Sequence, residues 1–259
     1  MYNSILVTLT DRDLHFVVTR IPRDVRSLMK KYPQLVLAGG FIRATVAREK
    51  VSDVDMFGPS EEYLDKAATE LALSRKGRVY KSKNAITVLA PPRMPVQFIT
   101  RWLYDDPVGV VNSFDYTICQ AAVYVRDLGF KISDKQQYRW ESWCSPLFYP
   151  DLACKRLTYM APERNEDAGG SILRMRKYLS RGYIIQADSM AMVIARLVKG
   201  VDWKDAKHWQ DEEYSSKVIC GLLREVDPLV AIDGIDMIDE HEIDKEEGHD
   251  ATEKMLDDH

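Results

Sequence analysis

Two carboxylates separated by one residue have the spacing in this sequence that best suits catalysis. Asp53 and Asp55 lie in Ser52-Asp-Val-Asp-Met-Phe57, whose alternation of polar and apolar residues predicts a β-strand. Side chains two residues apart in a strand project from the same face, with Cα atoms about 6.5–7 Å apart. Two carboxylates held this close in a half-buried site repel each other, and a divalent cation between them relieves the repulsion. The pair therefore predicts a site for Mg²⁺ or Mn²⁺.

A pair of glycines upstream of the carboxylates suits phosphate binding. Leu35-Val-Leu-Ala38 predicts a short strand, which breaks at Gly39-Gly40 and is followed by a short helical run. Glycines let backbone N–H groups approach a phosphate without a Cβ in the way, and the N-terminal end of the next helix is electropositive. A triphosphate could then lie across the glycine turn and the carboxylate strand.

The order of these features resembles the active-site signature of the DNA polymerase β nucleotidyltransferase superfamily. In that superfamily a Gly-Gly or Gly-Ser pair ends one strand, and Asp-x-Asp follows on the next. Arg43, three residues after the second glycine, makes the motif similar to the head domain of tRNA CCA-adding enzymes and bacterial poly(A) polymerases. The resemblance implies metal-assisted transfer of a nucleoside monophosphate from a nucleoside triphosphate to an acceptor hydroxyl, with release of pyrophosphate.

The resemblance also implies roles for individual residues. Asp53 and Asp55 would be catalytic metal ligands, whereas Gly39, Gly40, Arg43 and Ser52 would bind the nucleotide. The guanidinium of Arg43 has a fork geometry that matches phosphate oxygens. The bland alternatives are that Arg43 is an exposed helix arginine and that the Ser52 hydroxyl caps a turn.

The third carboxylate of the superfamily is missing from its expected strand. The run Pro95-Val-Gln-Phe-Ile-Thr100 resembles that strand by position, yet it offers Gln97, a neutral amide that binds Mg²⁺ less strongly and cannot accept a proton. The nearest substitute is Asp115, which lies in a run over 113–124 that is expected to form a strand. Burying an acid there costs free energy unless it is paired or bound to metal. Asp115 is thus either the third catalytic metal ligand or a strand-start residue bonded to nearby backbone.

Three hypotheses about function follow. The leading one is an enzyme whose acceptor is an RNA 3′ end, with a protein or a small molecule as other acceptors. Against an RNA acceptor, Ala44 stands where CCA-adding enzymes usually have Asp, and little chain is left for a large RNA-binding domain. The competing hypothesis is a catalytically degenerate protein of the same fold that binds a nucleotide or a protein partner, with Gln97 as the feature in its favour. In the third, the Asp-x-Asp pair is incidental in a structural protein.

Composition sets limits on these hypotheses. The 259 residues are 46% hydrophobic and contain no apolar run long enough to span a membrane, so we expect a cytoplasmic protein. Four scattered cysteines suit neither a zinc site nor a disulfide framework. The net charge of −4 does not indicate a nucleic-acid-binding protein, but the acids are concentrated after Asp233.

The alternation of predicted strands and helices indicates an α+β fold. The resemblance implies a nucleotidyltransferase-like mixed β-sheet with flanking helices, followed by a small helical C-terminal subdomain. We expect the catalytic domain over 1–165, the helical subdomain over 166–232 and an acidic mobile tail over 233–259. Within the catalytic domain we expect two strands over 4–10 and 14–20, and helices over 23–32 and about 60–74, the latter capped by Ser60.

Overall fold

The computed structural model describes residues 5–82, 84–162, 168–199, 204 and 210–226. The chain divides into two compact units, Met1–Cys154 and Lys155–His259. The domain limits expected from the sequence, 1–165 and 166–232, stay a prediction. The expected tail over 233–259 lies outside the described residues.

A seven-stranded mixed sheet forms the centre of the first unit, in the order β3-β4-β5-β2-β1-β6-β7. The strands are β1 (Val36–Ala38), β2 (Val54–Phe57), β3 (Arg78–Lys81), β4 (Ala85–Ala90), β5 (Arg93–Ile99), β6 (Ala121–Ile132) and β7 (Lys135–Cys144). The pair β2–β5 is parallel, and the other neighbours are antiparallel. A parallel pair needs a long crossover connection, which here contains a helix and the β3–β4 hairpin.

The described residues of the same unit form six α-helices: α1 (Asp11–Arg20), α2 (Arg23–Lys31), α3 (Gly40–Val46), α4 (Glu61–Arg75), α5 (Pro107–Asn112) and α6 (Phe148–Ala153). The expected helix over about 60–74 is confirmed, because the Ser60 hydroxyl accepts a hydrogen bond from the backbone N–H of Tyr63 and caps α4. Helix α4 packs against β3, β4 and β5. It buries the sheet face that carries Val54, Val88 and Val96, each 0% exposed.

The two strands expected over 4–10 and 14–20 are wrong. Residues 11–20 form α1, and Val7 makes only an isolated bridge with Cys144. Thr10 caps the helix by accepting from the N–H of Asp13, and acidic residues occupy the first turn. The β-branched residues that favoured a strand are placed at helical spacing, with Val17 buried. Capping and packing therefore outweigh intrinsic propensity here.

The strand expected over 113–124 is wrong in its first half. After α5 the chain turns and forms a short 3-10 helix, Thr117–Cys119, before β6 begins at Ala121. The Thr117 hydroxyl donates to the carboxylate of Asp151, and both side chains are fully buried. This pair fixes the 3-10 helix against α6, so the segment lies outside the sheet ladder.

The second unit contains α7 (Ala168–Ser180), α8 (Ala187–Val198) and α9 (Glu212–Val226), with a small parallel pair formed by β8 (Arg156–Leu157) and β9 (Ile184–Ile185). The hydroxyl of Ser189, near the start of α8, accepts a hydrogen bond from the backbone N–H of Tyr159. In the part of the chain that the structure describes, no helix is long and apolar enough to cross a membrane.

A buried ion pair connects three elements of the first unit. Arg75 at the end of α4 donates from Nε to Asp24 Oδ2 at 2.8 Å and from Nη1 to the Met94 carbonyl at 2.8 Å. Asp24 lies in the first turn of α2, and Met94 lies in β5. The side chain of Arg75 is 0% exposed. The pair thus joins α2, α4 and the start of β5.

This ion pair makes the free energy of unfolding depend on pH in the acidic range. Partial burial alone would raise the pKa of Asp24, but the hydrogen bonds and charge of Arg75, together with Arg93, outweigh it and hold this pKa below its ordinary value of 3.8. A carboxyl with a lowered folded-state pKa stabilises the fold above its unfolded-state value, and this stabilisation is lost as pH falls through the folded-state pKa. We expect the free energy of unfolding to fall below about pH 3.8, and Asp24→Asn to reduce that dependence.

Urea titrations at a series of acidic pH values measure this effect. Asp11→Asn, an exposed substitution in the first turn of α1, is the matched control and should keep the wild-type dependence. Equal acid dependence in Asp24→Asn and in the wild type would contradict the assignment to the Asp24 carboxyl.

Candidate active site

The glycine turn and the carboxylate pair lie at the same end of the sheet. Strands β1 and β2 are antiparallel, with Val36 opposite Phe57 and Leu37 opposite Met56. The end of β1 therefore lies beside the start of β2. The Gly39-Gly40 turn follows β1 directly, and Asp53 precedes β2 directly. Two segments that the sequence separates by a helix are thus neighbours in the fold.

Backbone conformation requires glycine at the first position of this turn. Gly39 has φ +78° and ψ −130°, and a Cβ built on it would lie 2.9 Å from Cε1 of Phe114. At Gly40, the first residue of α3, a Cβ would meet nothing within 4 Å. Gly39 therefore shapes the turn, whereas Gly40 leaves space above the backbone.

The two glycines should respond differently to alanine. We expect Gly39→Ala to lower the free energy of unfolding by about 1–3 kcal/mol, because the backbone is strained and the methyl group meets Phe114. Gly40→Ala, the matched control, should be neutral or slightly stabilising, since alanine fits a helical position with space around it. Chemical denaturation of both variants measures the difference, and equal stability of the two would contradict the account.

The Asp55 side chain projects from the sheet face opposite Val54 and Met56, a face that also carries a buried apolar cluster. Val54 and Met56 are 0% exposed, whereas Asp53 and Asp55 are half-buried. The hydroxyl of Ser52 donates to Oδ1 of Asp53 at 3.1 Å. Ser52 therefore orients one of the two carboxylates, a contact that the sequence alone does not reveal.

Gln97 lies directly beside Asp55. The parallel pair β2–β5 places Asp55 opposite Gln97, between the pairs Val54–Val96 and Met56–Phe98. Side chains opposite each other on neighbouring strands project from the same face, about 4.5–5.5 Å apart. Gln97 thus occupies the strand position at which the resemblance places a third carboxylate. The amide that replaces this carboxylate therefore lies within the candidate site itself.

Asp115 lies in the segment between α5 and the 3-10 helix and is 3% exposed. Its neighbour Phe114 packs its ring on Gly39, and the Gln120 side chain donates to the Phe114 carbonyl at 3.1 Å. The segment therefore passes the glycine turn. Within the described residues, however, no three His, Cys, Asp or Glu side chains are gathered as for a metal ion. The role of Asp115 as third ligand stays a prediction.

Arg43 is buried and is therefore not an exposed helix arginine. Its side chain is 2% exposed and forms a salt bridge with Glu49, which follows α3. A buried guanidinium needs such a partner because removing a charge from water is costly. The ion pair holds α3 and the chain after it together between the glycine turn and the carboxylate strand. A direct contact between Arg43 and the nucleotide stays a prediction.

Two further polar side chains extend the same row across the sheet. Thr87 in β4 is opposite Gln97, and Tyr80 in β3 is opposite Thr87. Both are half-buried. The sequence alone does not reveal them, because each resembles an ordinary strand residue. Only the strand register, which is a tertiary property, brings them into line with Asp55.

Comparison with known proteins agrees with this architecture. The model of a family described as "Gad2: Gabija anti-defense 2 family protein" matches residues 8–136. No curated protein matches the sequence. Among solved structures, the chain is similar to a Thermotoga maritima CCA-adding enzyme complexed with tRNA, with a TM-score of 0.53 and 15% identity over 85% of this chain and 50% of that one.

Two further structures show the same likeness. A CCA-adding enzyme in complex with CTP has a TM-score of 0.50 and 16% identity, over 85% of this chain and 49% of that one. One in complex with ATP has a TM-score of 0.51 and 17% identity, over 82% of this chain and 48% of that one. The chain spans about half the length of these enzymes. The expected fold is confirmed: a mixed sheet with flanking helices, similar to the fold of these CCA-adding enzymes.

Proposed function

We propose that this protein is a metal-dependent nucleotidyltransferase, which transfers a nucleoside monophosphate from a nucleoside triphosphate to an acceptor hydroxyl and releases pyrophosphate. The observation that carries the proposal is the register of β1, β2 and β5. It brings the Gly39-Gly40 turn, the Asp53 and Asp55 carboxylates and Gln97 to one end of a nucleotidyltransferase-like sheet. A glycine turn beside paired carboxylates is suited to a triphosphate with its counter-cation.

The donor atoms at this end of the sheet fit Mg²⁺ or Mn²⁺. Two carboxylates and the neighbouring amide oxygen of Gln97 are hard oxygen ligands, and Mg²⁺ is commonly held by one or two carboxylates plus substrate phosphates. Asp53 and Asp55 would hold the metal, and Asp115 is the candidate for a further ligand or base. The bound cation would neutralise charge on the triphosphate during phosphoryl transfer.

The chain's own residues would orient the nucleotide. The backbone N–H of Gly40 would approach the phosphates, because open space stands where a Cβ would be, whereas the N–H of Gly39 donates to the Ala121 carbonyl at 3.1 Å. Ser52 holds the Asp53 carboxylate. Arg43, three residues after Gly40 in α3, would add positive charge, although its ion pair with Glu49 reduces that contribution.

An RNA 3′ end is the favoured acceptor. The similar solved structures are CCA-adding enzymes in complex with tRNA, CTP or ATP. A protein or a small molecule remains the other acceptor class. We place the protein in the cytoplasm, where triphosphates and Mg²⁺ are available.

Transfer of radioactive label tests the proposal. ATP, CTP, GTP and UTP, each labelled at the α-phosphate, are incubated with Mg²⁺ or Mn²⁺ and with RNA, protein or small-molecule acceptors. We expect label in one acceptor class. If none of the four nucleotides transfers label and none binds, the proposal is overturned.

A second function is favoured by Gln97. A site with an amide in place of the third carboxylate is suited to a protein that binds a nucleotide or a protein partner without catalysis. The description of the matched family, Gabija anti-defense, is compatible with either activity as the means of countering a defence system. Binding of a nucleotide without label transfer would favour this second function.

Restoring a carboxylate at position 97 should change metal affinity. We expect Gln97→Asp to tighten Mn²⁺ binding about tenfold, since an added negative charge close to a divalent cation contributes more than its repulsion with Asp55 removes. Calorimetric titration with Mn²⁺ measures this change. Gln34→Asp, at an exposed position, is the control. Unchanged affinity in Gln97→Asp would place the metal elsewhere.

A further inference from the structure

A row of polar side chains crosses four strands of the sheet from Asp55 outward. Three register pairs define it: Asp55 with Gln97, Gln97 with Thr87, and Thr87 with Tyr80. Residues opposite each other on neighbouring strands project from one face. With strands about 4.8 Å apart, the row extends about 14 Å from Asp55. It is therefore long enough to contact a ligand group well beyond the carboxylates.

The row lies on the sheet face opposite α4. Lys81, next to Tyr80 in β3, forms a salt bridge with Asp65 of α4 at 2.6 Å, so Tyr80 projects to the other side. Likewise Ile86 and Val88, on either side of Thr87, are 2% and 0% exposed in the core. All four members of the row are half-buried, as suits groups at a binding surface.

The position of the row relative to the glycine turn indicates which reactant it would contact. The sheet order places β1 and its glycine turn on one side of β2, and β5, β4 and β3 on the other. In phosphoryl transfer the attacking and leaving oxygens lie roughly in line, on opposite sides of the phosphorus. If the leaving phosphates lie at the glycine turn, the acceptor hydroxyl approaches from the side of β5.

The chemistry of the row suits a nucleoside. An amide and two hydroxyl groups can exchange hydrogen bonds with ribose hydroxyls and a base edge, and a tyrosine ring can stack a base. Arg78, two residues before Tyr80, projects from the same face and is exposed. It can therefore contact a backbone phosphate of a nucleic acid. We propose that Gln97, Thr87 and Tyr80 form the subsite for the 3′-terminal nucleoside of a single-stranded RNA acceptor. This inference rests on the proposed function of the same site.

Two binding measurements separate the acceptor subsite from the phosphate site. The first is the affinity for a short fluorescent single-stranded RNA, and the second is the affinity for inorganic tripolyphosphate with Mg²⁺, which carries no nucleoside. We expect Tyr80→Ala to weaken RNA binding about tenfold through lost stacking, and Thr87→Val to weaken it several-fold. Both variants should bind tripolyphosphate as the wild type does, whereas Asp53→Asn should lose tripolyphosphate binding.

A tyrosine at the other edge of the sheet is the matched control. Tyr138 is half-buried in β7, the edge strand opposite β3, so Tyr138→Ala should leave RNA affinity unchanged. Thermal unfolding of all four variants shows whether each is folded.

Each outcome decides a different claim. Three results would overturn the acceptor subsite and leave the proposed function standing. The wild type does not bind RNA, the row variants bind RNA as tightly as the wild type, or Tyr138→Ala weakens RNA binding as much as the row variants do. If the wild type does not bind tripolyphosphate, or if Asp53→Asn binds it as tightly as the wild type, the phosphate site and the acceptor subsite are both overturned.

Discussion

Replacing Asp53 and Asp55 together by asparagine is expected to lower the rate of nucleotidyl transfer about a thousandfold, which corresponds to about 4 kcal/mol of lost transition-state stabilisation. Asparagine keeps the size of each side chain but removes the negative charge that holds a divalent cation. The two carboxylates project together from the face opposite Val54 and Met56, so both charges are lost from one place.

The fold should tolerate this double substitution, which makes the test informative. Removing two neighbouring negative charges relieves repulsion, so the thermal midpoint should be equal to or above that of the wild type. Asp105→Asn, at an exposed position before α5, is the matched control and should keep the full rate. A double variant that transfers label at the wild-type rate would show that the carboxylates are not catalytic.

Replacing Asp24 by alanine is expected to cost about 3 kcal/mol of stability, at the lower end of the range for breaking a buried ion pair. The substitution leaves the guanidinium of Arg75 without its carboxylate inside the protein, where the Arg75 side chain is 0% exposed. Asp24 also accepts a hydrogen bond from the backbone N–H of Val25, so the start of α2 loses a contact as well.

An exposed ion pair on α4 supplies the comparison. Glu62 and Lys66 form a salt bridge at 2.7 Å with side chains 79% and 65% exposed, and Glu62→Ala should change stability little because water screens such pairs. Urea denaturation of both variants measures the contrast. If Asp24→Ala were as stable as Glu62→Ala, the ion pair with Arg75 would not stabilise the fold.

The sequence predicts those parts of the site that local chemistry determines. A glycine pair after an apolar run, an alternating strand with two acids, and a serine at a helix start each depend on residues close together in the chain. The structure places Gly39-Gly40 and Asp53 at one end of the sheet. It also confirms the Ser60 cap.

The parts that sequence reasoning missed depend on distant residues. Residues 14–20 have strand propensity, but α1 forms because Thr10 caps it and Val17 packs in the core. The burial of Arg43 follows from its pairing with Glu49, which periodicity does not reveal. The alignment of Thr87 and Tyr80 with Asp55 requires the register of four strands.

The parallel pairing of β2 with β5 has a consequence for the order in which the site assembles. The glycine turn and the carboxylates belong to one strand-helix-strand unit, whereas α4 and the β3–β4 hairpin separate Asp55 from Gln97 along the chain. Closing the longer loop costs more chain entropy, so we expect the second half of the site to form later and to open more readily. Amide protons of β3 and β4 should therefore exchange with solvent before those of β1 and β2. A partly opened molecule would keep its phosphate side and lose its acceptor side.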